Sequence, residues 1–223
     1  MSSPAPRLYL ITDRHAASGR PLADVVAAAL RGIPGGTPPG QVAVQLREKD
    51  LSGLALAELA RALRAVTAAA GVGLWINDRV DVALAVGADG VHLGGHSMDV
   101  AAAARVGPGL AIGVSAHAPS EVAALAAAAG GRLAFALLGP IHDTPSKRAY
   151  GPPLGIAAVT AAARAGTPIV AVGGIAPAHV RDLLAAGAHG VACIRAVMAA
   201  PDAAIPVGAF CQQLKTAQEM DSR

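Results

Sequence analysis

The residues able to do chemistry fall into short clusters. Gln45-Leu46-Arg47-Glu48-Lys49 puts two cations two positions apart. Lys49 and Lys147 are the first two of only three lysines in the chain, and Thr144-Pro145-Ser146-Lys147 sets the second beside two hydroxyls. Grouped cations of this kind suit a diphosphate. Asp78, in Asn77-Asp78-Arg79, is a hard oxygen ligand suited to Mg2+ bridging protein and phosphates. Gly173-Gly174 ahead of a helical stretch leaves backbone N–H groups open to an anion. Ser115-Ala116-His117 and Arg195 add a hydroxyl, an imidazole in the proton-transfer range and another cation.

Each cluster also has a plain structural reading. Gln45–Lys49 can be a solvated strand exit, and Asn77-Asp78 can cap the following helix. Gly173-Gly174 can be a tight turn. His92, inside the apolar run Gly90–Leu93, reads as a core histidine, while His117 stands evenly between the two readings. His15, His179 and His189 read as surface or helix-end residues. The shared placement carries more weight than any single motif, because each cluster follows directly on an apolar run.

Those runs are the elements that must position the chemistry. Strands are expected at Arg7–Ile11, Val42–Leu46, Gly73–Ile76, Gly90–Leu93, Leu110–Val114, Leu133–Leu138, Pro168–Val172 and Gly190–Ile194. Most are apolar throughout, as in a parallel sheet covered on both faces. Helical stretches occupy roughly 21–31, 52–70, 79–86, 98–106, 118–129, 154–165, 176–186 and 201–218, by their periodicity. Eight strand–helix units predict an α/β fold, a single (β/α)8 TIM barrel over residues 1–223, rather than an open doubly wound sheet. Residues 1–6 are expected as a tail and 219–223 as a frayed end. Gly87-Ala-Asp-Gly-Val91 returns as Gly187-Ala-His-Gly-Val191, four units later, as two half-barrels require. The Pro/Gly stretch 32–40 reads as a surface insertion. In such barrels, ligands bind at the C-terminal strand ends, where the clusters fall.

Composition sets the bounds. With 53% hydrophobic and 15% charged residues the chain has the balance of a packed globule, not of a disordered one. Aromatics at 2% leave Ala, Val, Leu and Ile to build the core. The net charge of +3 is small and the basic residues are scattered, which argues against nucleic acid as a partner and for a small anionic ligand. Cys193 and Cys211 are too few for a disulfide framework. Neither a signal peptide nor a membrane span is evident, so a cytoplasmic location with no membrane partner is expected. A homo-oligomer is left open.

Taken in order, Tyr9-Leu-Ile-Thr-Asp13, Gln45-Leu-Arg-Glu-Lys49, Ile76-Asn-Asp78, Gly90-Val-His-Leu-Gly94, Gly113-Val-Ser-Ala-His117, Gly139-Pro140 with Thr144-Pro-Ser-Lys147, and Val172-Gly-Gly-Ile175 resemble the thiamine-phosphate synthases over nearly the whole chain. The resemblance implies a transferase that joins 4-amino-2-methyl-5-pyrimidinylmethyl diphosphate to a thiazole phosphate and releases diphosphate. In that family the pyrimidine diphosphate ionises to a stabilised cation, which the thiazole nitrogen attacks. Carried over by position, Gln45, Arg47, Lys49, Asn77, Ser115 and Lys147 hold the pyrimidine diphosphate, and Leu46 and Glu48 between them count as substrate-binding. Arg47, Lys49, Ser115 and Lys147 are the catalytic residues among them. Asp78 holds Mg2+, and Thr144, Ser146, Gly174, Ile194 and Arg195 surround the thiazole phosphate.

Two positions depart from the family pattern. Where it has a second metal-binding Asp after the fourth strand, this chain reads Gly94-Gly95-His96-Ser97, with Asp99 nearby. Where it often has Ser, this chain has Arg195. The first departure admits the related thiazole tautomerase, an isomerase whose acid/base histidine corresponds to His117. It also admits a catalytically silent barrel that only binds a phosphorylated ligand. The grip at Gln45–Lys49 and Asn77-Asp78 favours the synthase, since an isomerase has no diphosphate to hold.

Overall fold

The computed structural model describes residues 5–145, 148 and 151–221. Eight parallel strands close into a barrel in sequence order: β1 (Leu8–Ile11), β2 (Val42–Leu46), β3 (Gly73–Asn77), β4 (Gly90–Leu93), β5 (Ala111–Ala116), β6 (Leu133–Leu138), β7 (Ile169–Ala171) and β8 (Gly190–Cys193), with β8 pairing back onto β1. Helices cover it outside: α1 (Leu22–Arg31), α2 (Gly53–Ala69), α3 (Val80–Ala85), α4 (Val100–Val106), α5 (Pro119–Ala129), α6 (Ile156–Ala163), α7 (Val180–Ala185), α8 (Arg195–Met198) and α9 (Ala204–Asp221). The expected α/β barrel is therefore the observed one. Among the described residues, no helix is long and apolar enough to cross a membrane.

Three boundaries differ from expectation. Arg195 opens the four-residue helix α8 instead of standing on a loop. Four residues are too few to show a helical period, and Ile194 ahead of them is no capping residue. At the N-terminal end, Pro6 is buried and the Ala5 carbonyl accepts a hydrogen bond from His189 Nε2 at 3.0 Å, so these two residues are packed against the barrel and are not a tail. At the other end α9 continues to Asp221, past the point where fraying was expected.

The strands are buried on both faces, and the two faces hold different cores. The outer one is aliphatic: Leu8, Leu10, Val42, Val44, Leu46, Leu74 and Ile76 meet the apolar faces of the helices, as the composition predicts. The barrel interior departs from that prediction. Of the one Trp, two Tyr and two Phe in the chain, Trp75, Tyr9 and Phe135 fill the lower interior. Their centroids lie 5.1 Å apart for Tyr9–Phe135 and Trp75–Phe135, and 6.0 Å for Tyr9–Trp75.

Glycine makes the room. Trp75 pairs with Gly90 and Gly113 pairs with Phe135 across neighbouring strands. A Cβ at Gly90 would lie 2.6 Å from the Trp75 ring, and one at Gly113 would lie 2.8 Å from Phe135. Ring and missing side chain are thus one packing unit. Trp75→Ala should cost about 3–5 kcal/mol, because it deletes the largest buried side chain from a site whose walls are sheet backbone and cannot collapse. A urea midpoint shifted by less than 1 kcal/mol-equivalent, a rough threshold for collapse, would show that the interior does repack.

Candidate active site

Above this aromatic floor a cavity of about 670 Å3 opens at the C-terminal strand ends. Every strand contributes to it. Ile11 and Asp13 come from β1, Gln45 and Arg47 from β2, Asn77 from β3 and His92 from β4. Ser115 and His117 follow from β5, Gly139 and Thr144 from β6, Gly173 and Gly174 from β7, and Ile194 and Arg195 from β8. Gln45, Arg47, Asn77, Ser115, His117, Thr144, Gly174, Ile194 and Arg195, all singled out in the sequence, are thus brought together. Ser146 and Lys147 lie outside the described residues.

Four expected residues do not line the cavity. Leu46 points the other way, into the aliphatic core between β2 and the helices, because successive strand residues alternate in face. Glu48 is buried under the rim. It accepts from the Thr12 hydroxyl at 2.7 Å and pairs with Arg14 at 3.3 Å. Thr12 in turn accepts from the Arg47 amide at 2.9 Å. Glu48 therefore fixes the backbone that carries Arg47 and ties it to the β1 end, and it does not line the cavity. Lys49 is exposed at the rim, since β2 ends at Leu46 and the strand alternation that would align it with Arg47 stops there.

Asp78 is exposed beside the mouth, next to the lining residue Asn77. Its backbone is left-handed, at φ 68°, a conformation Asp and Asn tolerate better than other side-chain-bearing residues. The Asp78 amide donates to the His92 carbonyl at 2.8 Å, which locks the turn. The helix-cap reading fails here, because Arg79 holds the N-cap position of α3.

Gly173 and Gly174 also have positive φ, 97° and 65°. A Cβ on either would strike the β6 loop, 2.6 Å from Pro140 Cα or from the Asp143 carbonyl oxygen. The pair is therefore both a tight turn and an approach that brings two loops together over the cavity.

The charges are unevenly committed. Arg14 pairs with Glu48 and Asp50, Arg64 with Asp89, Arg79 with Asp81 and Arg148 with Asp143. The two cavity arginines, Arg47 and Arg195, have no carboxylate partner among the described residues. Arg14 holds the Asp50 carboxyl well below the usual range, with the His15 ring adding to the effect. His15 stands at the cavity edge on that account. Burial pushes Cys193 up, with a smaller push from Cys211, and burial alone raises Cys211 to about 11, so neither thiol is a ready nucleophile.

Two histidines meet the cavity at its β4 and β5 sides. His117 contacts the Gly139 carbonyl oxygen through Nδ1 at 2.8 Å, and a carbonyl only accepts, so Nδ1 carries the proton. His92 is buried, as its apolar run foretold, yet its Nε2 lies 2.9 Å from Ser115 Oγ and its ring meets the cavity. Asp13 went unremarked as a site residue, although Thr12-Asp13 follows its strand as the other clusters do. Its Oδ1 accepts from the His15 and Ala16 amides at 3.1 and 3.2 Å.

The donors at the mouth fit Mg2+ held in a minimal way. Asp78 presents a carboxylate without a hydrogen-bond partner among the described residues. The Ser97 hydroxyl accepts from the Gly94 amide at 2.7 Å, and Asp99 caps α4 through the Ala102 amide at 2.7 Å. Neither replaces a second carboxylate. Mg2+ keeps several waters and binds through one or two carboxylates plus phosphates, so a single carboxylate such as Asp78 is compatible with such a site.

A closed parallel barrel with uncommitted arginines, glycine turns and a carboxylate at its strand ends defines a phosphate-binding (β/α)8 enzyme scaffold. The profile of the family described as thiamine monophosphate synthase matches residues 8–197, and the chain belongs to that family. It is 50% identical over 197 residues to the putative thiamine-phosphate synthase of Geobacter sulfurreducens, covering 87% of this chain and 88% of that one. It is 45% identical over 206 residues to the thiamine-phosphate synthase of Roseiflexus castenholzii, covering 92% and 86%. The thiamine phosphate pyrophosphorylase structure from Pyrococcus furiosus superposes with a TM-score of 0.81 at 32% identity, over 95% of this chain and 96% of that chain.

Proposed function

We propose that this chain is a thiamine-phosphate synthase, a transferase that condenses 4-amino-2-methyl-5-pyrimidinylmethyl diphosphate with a thiazole phosphate. One observation carries the reading at the site: Arg47 and Arg195 face the cavity with no carboxylate among the described residues to neutralise them. Cations left unpaired at a cavity wall favour anionic ligands.

The bond from the pyrimidine methylene to the diphosphate oxygen breaks, and the electron pair leaves with diphosphate. The thiazole nitrogen then supplies a pair to the methylene cation. No protein nucleophile takes part. Charge develops on the departing oxygens, so preplaced cations lower the barrier. Arg47 and Ser115 serve that end from β2 and β5, with Lys49 and Lys147 as further cations. Gln45 and Asn77 orient the pyrimidine half. Its ring lies toward the aromatic floor, where the buried Gln45 Oε1 has no hydrogen-bond partner among the described residues and can accept from a ring donor. Thr144, Ser146, Gly174, Ile194 and Arg195 receive the thiazole phosphate. Mg2+ held by Asp78 would supply further neutralisation of the diphosphate. We place the enzyme in the cytoplasm, where both charged substrates would be available to it.

Incubation of the pure protein with both substrates and Mg2+ should yield thiamine phosphate and diphosphate in equal amounts. Isomerised thiazole without thiamine phosphate would replace this reading with the tautomerase, for which the His117 ring is the acid/base group. Ligand binding with neither product would leave a silent barrel.

A further inference from the structure

His92 lines the cavity and has no role assigned above, while its partner Ser115 is one of the residues assigned to the diphosphate. His92 is on β4 and Ser115 on the neighbouring β5. The imidazole is 1% exposed and packs against the Tyr9 and Phe135 rings, at centroid distances of 5.9 and 5.7 Å. Its Nε2 is 2.9 Å from Ser115 Oγ. Its Nδ1 is buried and has no hydrogen-bond partner among the described residues. The absence of a side chain at Gly113 leaves Nδ1 its place: a Cβ there would lie 3.0 Å away.

A neutral imidazole carries one proton, on either nitrogen. On Nδ1, that proton would be a buried N–H donor with no acceptor, an arrangement folded proteins almost never keep. On Nε2, it is donated to Ser115 Oγ, and only a lone pair is left without a partner. Burial first, and the Arg47 charge second, push the imidazole pKa down to about 3, which removes the doubly protonated ring from consideration near neutrality.

We infer that His92 is a positioning residue that donates Nε2–H to Ser115 Oγ, so that the serine hydroxyl must turn its own proton into the cavity and act as a hydrogen-bond donor to the substrate. Ser115 then offers its proton to an acceptor, a diphosphate oxygen or a ring nitrogen. The inference rests on the proposed synthase function for the identity of that acceptor, and on the geometry alone for the direction of the bond.

Two measurements separate these parts. Nitrogen-15 NMR of the intact, ligand-free protein should show one buried neutral histidine as the Nε2–H tautomer, with a resonance absent in His92→Phe. An Nδ1–H tautomer for that residue overturns the inference whether or not the protein makes thiamine phosphate. In the condensation assay, His92→Phe fills the ring space without the donor and should lower kcat/KM on the order of tenfold, the weight of a buried hydrogen bond. His92→Gln, which can return an N–H near the same reach, should recover part of the loss. The double variant His92→Phe/Ser115→Ala should fall no further than Ser115→Ala, since coupled residues are not additive. Losses that multiply, or a His92→Gln variant as poor as His92→Phe while both keep wild-type circular dichroism, would show that His92 only packs. Should His92→Phe fail to fold, the tautomer and the His92→Gln rate decide. A wild type that makes no thiamine phosphate defeats the functional reading and leaves the tautomer test standing.

Discussion

Arg47→Ala is expected to lower kcat/KM by about two to three orders of magnitude, with most of the loss in kcat, the size found when one preplaced donor to developing charge is removed. The side chain meets the cavity from the β2 end, and no carboxylate among the described residues competes for it. Its backbone is held by Thr12, which is held in turn by Glu48, so the segment that carries the guanidinium is fixed before substrate arrives. Preorganisation of this sort acts on the transition state more than on the ground state. Arg47→Lys should be intermediate, because it keeps the charge but loses the two-pronged geometry. Glu48→Gln gives a control by mechanism: it should impair the rate through Arg47 without touching substrate. The measurement is steady-state diphosphate release with each substrate varied. An Arg47→Ala enzyme within threefold of wild type, a rough limit for a surface charge, would remove Arg47 from the diphosphate grip.

Asp78→Asn should lower turnover at least about a hundredfold at millimolar Mg2+ and move the Mg2+ requirement upward, since a carboxylate is a far better Mg2+ ligand than an amide. Asparagine suits the test because it tolerates the left-handed backbone at φ 68°, so the fold is left intact and only the charge changes. Asp78→Ala would mix strain with chemistry. This chain should feel the loss more than a site with two carboxylates, because Ser97 and Asp99 are occupied with the Gly94 and Ala102 amides. The converse variant, Ser97→Asp, should tighten Mg2+. An Asp78→Asn enzyme with unchanged rate and unchanged Mg2+ dependence would move the metal elsewhere.

The barrel and the location of its site are legible in the sequence because both follow from local rules. A strand buried on both faces must be apolar throughout, so its end is marked by the first polar residues, and in a parallel barrel those ends share one mouth. That rule finds Gln45, Arg47, Asn77, Ser115 and Arg195, and it applies equally to Thr12-Asp13, where it was not used. Residue type also carries through: Gly94–Ser97 has no carboxylate in the sequence, and the Ser97 hydroxyl accepts from the Gly94 amide in the structure.

Direction and partnership are settled only by the fold. Arg47 and Glu48 are neighbours in the chain, yet the first faces the cavity and the second anchors the loop beneath it, because Thr12, 36 residues before Glu48, arrives beside them just past the end of β1. Lys49 drops out of the wall because β2 ends three residues before it. His92 reads as a core residue from its neighbours, and it is one. That its Nε2 also reaches a cavity serine depends on β4 and β5 lying in register, a relation no single stretch contains. The aromatic interior depends likewise on Gly90 standing beside Trp75 and Gly113 beside Phe135. Composition counts those residues; only strand pairing brings ring and space together, because packing is a property of neighbours across the sheet and not along the chain.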